Sequence, residues 1–88
     1  MATTLKPDRA LVLQSLADEI EAVAHSRAHL RALADRYGRE HKLKLTFTNG
    51  TNVARMLGVS ATNTESPEAA LANWAQAARR KLLGLGDA

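Results

Sequence analysis

The sequence predicts an α+β fold, mostly α, with a long N-terminal helix, a β-hairpin and a C-terminal helix in one small domain over residues 1–88. Three observations carry that expectation. Apolar residues recur at spacings of three and four before residue 38 and again after residue 66, the repeat of a helix with one buried face. Between these stretches apolar and polar residues alternate up to an Asn-Gly pair, the repeat of a strand running into a tight turn. Ala, Leu, Arg and Glu, which lose little on entering a helix, recur through both halves.

The first helix is expected over about 7–37. Pro7 suits a first turn, Asp8 complements the helix dipole there, and Gly38 is a stop signal. Leu13, Leu16, Ile20, Val23, Arg27, Leu30, Ala34 and Tyr37 form one seam, interrupted only by Arg27. Such a helix would be about 45 Å long, whereas a compact domain of this size is only about 30 Å across. Either the helix breaks near Ala24 to Arg27, or it projects and a second copy covers its seam. With no Pro or Gly inside it the projecting form is favoured, which makes Leu16, Ile20, Val23, Arg27 and Leu30 the expected partner-binding residues of a homodimer.

The hairpin is expected over about 43–57. Leu43, Leu45 and Phe47 alternate with Lys44, Thr46 and Thr48, and Asn49-Gly50 supplies the two positive-φ residues of a type I′ turn. A two-residue loop pairs Thr48 with Thr51, Phe47 with Asn52, Leu45 with Ala54 and Leu43 with Met56. The opposite face then sets Thr46 against Val53 and Lys44 against Arg55, one like-charge pair. Ser60 to Glu65, rich in Ser, Thr and Asn, reads as a loop. Ser66 is a good N-cap ahead of Pro67 and Glu68, so the last helix is expected over about 66–83, ended by Gly84 and Gly86. Leu43, Leu45, Phe47 and Met56 are expected to pack against Leu71, Trp74 and the first helix. Trp74 belongs to that core.

A competing reading involves the same residues. Asn52-Val53-Ala54-Arg55-Met56-Leu57-Gly58-Val59-Ser60 resembles the second helix and turn of a helix-turn-helix DNA-binding module. That resemblance implies an all-α chain with a degenerate helix-turn-helix, acting as a small DNA-binding regulator. Arg36, Arg39, Lys42, Lys44, Arg55, Arg79, Arg80 and Lys81 would then meet phosphates, in keeping with a net charge of +3. The same cations also suit solvated helix faces. In element order the predicted chain is similar in outline to the small, basic phage head–tail joining proteins of the W type, a likeness that implies a phage or bacterial origin.

The chemistry-bearing residues are sparse. His25 and His29 stand four apart, as in zinc-binding helices, but no third ligand follows, so no metal is expected. There is no Cys, which suits a reducing compartment, and no Gly-rich phosphate loop, nucleophile elbow or paired acidic motif. Asn49-Gly50-Thr51 matches a glycosylation acceptor but reads better as a turn. Met1 to Pro7 has no apolar signal core and no stretch approaches a membrane span, so a cytoplasmic location is expected. The expected function is a non-catalytic protein-binding module or adaptor, acting as a homodimer or in a larger assembly. It has no catalytic residues, cofactor, small-molecule substrate or membrane partner.

Overall fold

A computed structural model describes residues 6–87. Its element order is α1 (Lys6–Ala22), α2 (Arg27–Glu40), β1 (Lys44–Thr48), β2 (Thr51–Met56), β3 (Val59–Asn63) and α3 (Pro67–Asp87). The expected α+β class holds, with a sheet of three antiparallel strands in the order β1-β2-β3.

The long first helix is two helices. Val23 to His25 form a turn, and Ser26 begins α2 as an extended N-cap whose Oγ accepts from the backbone N–H of His29 at 3.4 Å. The seam survives the break, because both halves bury it in the chain's own core. Leu13, Leu16 and Ile20 from α1, and Leu30, Leu33 and Tyr37 from α2, are buried, with Val23 and Ala34 packed against them. Arg27, the one interruption of the seam, opens the second helix and is exposed. The expectation of a projecting helix is therefore corrected. Breaking at this point buries both halves within a chain whose radius of gyration is 13.0 Å, which a straight helix of that length would not allow.

Gly38 does not end α2. The helix runs on to Glu40 and closes where the N–H groups of His41 and Leu43 both donate to the Tyr37 carbonyl, at 2.8 and 3.2 Å, with Lys42 left-handed at φ 59°. At the other end of the chain α3 likewise passes through Gly84. Ser66 caps it as expected, its Oγ accepting from the Ala69 N–H at 3.0 Å.

The hairpin has the expected register: Thr48 lies opposite Thr51, Phe47 opposite Asn52, Thr46 opposite Val53, Leu45 opposite Ala54 and Lys44 opposite Arg55. Asn49 and Gly50 take the positive φ that a type I′ turn demands, 53° and 77°. The chain then repeats the device. Leu57 and Gly58, at φ 54° and 77°, turn it again into β3, so that Val59 to Asn63 form a strand where a loop was expected. Val53 to Met56 are strand and no helix follows before Pro67, which corrects the helix-turn-helix alternative.

One face of the sheet presents Ala54, Met56, Val59 and Ala61 to α3, which lies along β2 and β3. Trp74 sits at the centre, fully buried, with its indole N–H directed to the carbonyls of both Met56 and Val59, 3.1 Å from each. α1 packs along α3 and anchors at the same turn, where the Arg9 guanidinium donates to the Leu57 carbonyl. A Cβ on Gly58 would approach that guanidinium to 2.8 Å.

α1 and α2 are clasped by Glu19, which accepts from Arg36 at 2.6 Å and from the Tyr37 hydroxyl at 2.5 Å. The hydrogen bonds from Arg36 and then Tyr37 hold the Glu19 carboxyl below the usual carboxylate range. Burial, reinforced by the Glu19 partner, pushes the Tyr37 hydroxyl well above the ordinary tyrosine range.

Two outcomes follow. Trp74→Phe keeps an aromatic core residue but removes the indole N–H and part of its volume, and should cost about 2 kcal/mol in urea unfolding. Because Glu19 titrates lower in the folded chain than in the unfolded one, its clasp stabilises the fold above about pH 4.3. That contribution is lost as pH falls through the depressed value. Glu19→Gln should accordingly lower stability at pH 7 and flatten its decline between neutral and acid pH, read as urea midpoints across the pH series.

Candidate protein-docking edge

An antiparallel ladder pairs alternate residues, and a two-residue turn makes its flanking residues the first hydrogen-bonded pair. In the β1–β2 hairpin that pair is Thr48 with Thr51, so Thr46 and Lys44 also turn their N–H and C=O groups toward β2. The N–H and C=O groups of Leu45 and Phe47 therefore point the other way, along the outer edge of the sheet. Among the described residues nothing pairs with that edge.

The side chains are as open as the backbone. Every residue of β1 is exposed, an uncommon state for a strand on a packed sheet. Leu45 and Phe47 lie on the sheet face that packs on α3, since they stand opposite Ala54 and Asn52, yet they remain 38% and 68% exposed. Their expected place in the core is corrected: α3 covers β2 and β3 and leaves β1 bare. The other exposed large apolar residues, Leu11, Val12 and Leu83, belong to helices, whose own backbone bonds are internally satisfied.

Beside Leu45 an open cleft of ≈ 600 Å³ separates β1 from α2, its wall formed by Ala28, Arg31, Ala32, Ala34 and Asp35. Small alanines keep the helix surface low. The two charges at the rim are held by neighbours: Arg31 donates to Glu68 at 3.1 Å, and Asp35 accepts from Arg39 at 2.9 Å. Burial pushes the Glu68 carboxyl up, but its own backbone N–H and the Arg31 guanidinium outweigh this and hold it below the usual range. What the cleft offers is apolar floor with a neutralised rim.

Of the residues expected to bind a partner, Leu16, Ile20 and Leu30 are buried inside the chain and Val23 is half-buried against them. Arg27 is exposed and faces Glu68 at 4.0 Å. They do not form a surface, so a second copy has no open seam to cover.

Three of the eight basic residues expected to meet phosphates are ion-paired within the chain. Arg36 meets Glu19 and Glu40, Arg39 meets Asp35, and Arg79 is held between Asp18 and Glu21, which raises its pKa further. Lys44 and Arg55 sit across from each other on the outer sheet face, Lys42 lies at the end of α2, and Arg80 and Lys81 are on α3. No described carboxylate pairs with these five.

His25 and His29 do not share a helix, for His25 lies in the turn before α2 and the His29 Nδ1 stands 2.7 Å from Ser26 Oγ. No group of three potential metal ligands occurs among the described residues, and no helix there is long and apolar enough to cross a membrane. The sequence marked Leu45 and Phe47 as apolar strand residues without marking them as exposed. Ala28 and Ala32 carried no signal at all. Comparison with protein-family models, with curated proteins and with solved structures finds no match to this chain.

Proposed function

We propose that this chain is a non-catalytic protein-binding module that docks by strand addition along β1, with the cleft beside α2 receiving side chains of the added strand. The observation that carries this reading is the exposure of Leu45 and Phe47 on the core-facing side of an edge that has no partner among the described residues. An edge strand that is apolar and free is a template for another strand, and proteins that do not use such an edge blunt it with charge, Pro or a bulge. Here the only charge in β1 is Lys44, whose side chain lies on the other face of the sheet.

Four of the carboxylates are engaged in holding helices together. Glu19 ties α1 to α2, Asp18 and Glu21 tie α1 to α3, and Glu68 ties α3 to α2. This favours binding over catalysis. The nucleic-acid reading has lost its reading head, since residues 52–57 are strand and turn, and no observation favours it over docking. An adaptor role in the cytoplasm accords with the absence of cysteine.

Photo-crosslinking tests the reading. Benzoylphenylalanine placed at Phe47 of the full chain, produced in its native cells, should give one discrete protein adduct on irradiation. Adding Leu45→Asp should remove at least nine-tenths of it, and the same probe at exposed Gln76 on α3 should give none. No adduct at Phe47, or equal adducts at both positions, would show that β1 is not a docking edge.

A further inference from the structure

Resting on the docking reading of β1, we infer that the occupant of this edge is a second copy of the same chain, joined β1 to β1 in antiparallel fashion about a two-fold axis at Thr46. The inference comes from self-complementarity of the strand. With Thr46 opposite its own counterpart, Leu45 of each copy stands opposite Phe47 of the other, and both are residues whose N–H and C=O groups point outward. Each such pair exchanges two backbone hydrogen bonds, so the two pairs supply four.

The side chains agree with the backbone. Leu45 and Phe47 are the two exposed apolar residues of the strand and lie on one face, so each covers its counterpart in the other copy. Leu45 also forms a wall of the cleft beside α2, which places the Phe47 ring of the second copy at the cleft mouth, over Ala28 and Ala32. On the opposite face Lys44 meets Thr48, and the like-charge contact that a Lys44-centred register would impose is avoided.

Neighbouring registers do less. Centring on Leu45 sets Phe47 against Leu43, which is already buried, and centring on Phe47 sets Leu45 against Asn49 of the turn. Of these registers the Thr46 one alone sets both exposed side chains opposite exposed apolar partners, and it closes the two copies into a six-stranded sheet with β1 paired.

The chain contains no cysteine, so single cysteines report the register directly. Non-hydrogen-bonded partners have Cα atoms about 4.5 Å apart, within disulfide reach. Thr46→Cys in the folded chain should therefore oxidise almost completely to a covalent dimer. Thr48→Cys, offset from its counterpart by about 13 Å, should stay at least tenfold less bridged. Unfolded chains would bridge both alike. Sedimentation of the unmodified chain at tens of micromolar should give twice the 9.5 kDa chain mass, and Leu45→Pro, which removes an outward N–H that β2 does not use, should return it to 9.5 kDa with its circular dichroism unchanged.

A mass of 9.5 kDa at every concentration, or bridging at Thr48 equal to that at Thr46, overturns the inference. In that event a crosslink from Phe47 to a different protein keeps the docking reading, and the absence of any crosslink removes both.

Discussion

The fold turns on the indole N–H of Trp74. It points at the carbonyls of Met56 and Val59, the two residues that close the second hairpin turn, and so fixes helix α3 to the sheet at a single buried point. A buried N–H must find an acceptor, and here two acceptors are brought together only when Leu57 and Gly58 both adopt left-handed backbone. Leu57 is a residue that resists that conformation, at a cost of about 1–2 kcal/mol. The turn persists because three elements converge on it: Trp74 from α3, the β2–β3 ladder, and Arg9 from α1, whose guanidinium takes the Leu57 carbonyl.

Seating α3 at that turn determines what is left uncovered. Neighbouring strands lie about 4.8 Å apart and a helix is about 10 Å across, so one helix shields two strands. With Trp74 tied to the β2–β3 turn, those two are β2 and β3, and β1 becomes the bare strand. A third strand could be covered only by α2, which stands back from it by the width of the cleft. The open edge is thus a consequence of how the core is anchored, and Leu45 and Phe47 are apolar at a place that no described residue covers.

How much of this was legible depends on where local signals agreed with tertiary packing. The β1–β2 hairpin was readable because Asn49-Gly50 states its turn type and the alternation of Leu43, Leu45 and Phe47 states its faces. The second hairpin was not, because its turn begins with Leu57, a residue that gives no hint of positive φ, and its inward positions are Val59, Ala61 and Asn63, too mixed to show alternation. The break between α1 and α2 left two traces, a helix too long for a compact domain of this size and Arg27 interrupting the seam. Ser26, its N-cap, is an ordinary residue until the helix on either side is known to fold back. The candidate edge was half legible: alternation assigns Leu45 and Phe47 to a face, but whether that face is covered depends on the width and seat of α3, which no local pattern encodes.

The edge and the helical clasp are one mechanical unit. Tyr37 donates its hydroxyl to Glu19 on α1 and, through its carbonyl, accepts the N–H groups of both His41 and Leu43, the residue that leads into β1. The link from α1 to the start of β1 therefore runs through a buried tyrosine and residues 41–43, which lead into the strand. Loss of the Glu19 bond leaves the buried Tyr37 hydroxyl without that acceptor, so it must find another or shift α2. Any such shift changes the width of the cleft bounded by Leu45 and Ala32. By the reciprocity of linked equilibria, a strand that bound the cleft more tightly in the clasped arrangement would favour the clasp by the same factor. The contact between the first two helices and the lead into β1 thus share one residue, Tyr37.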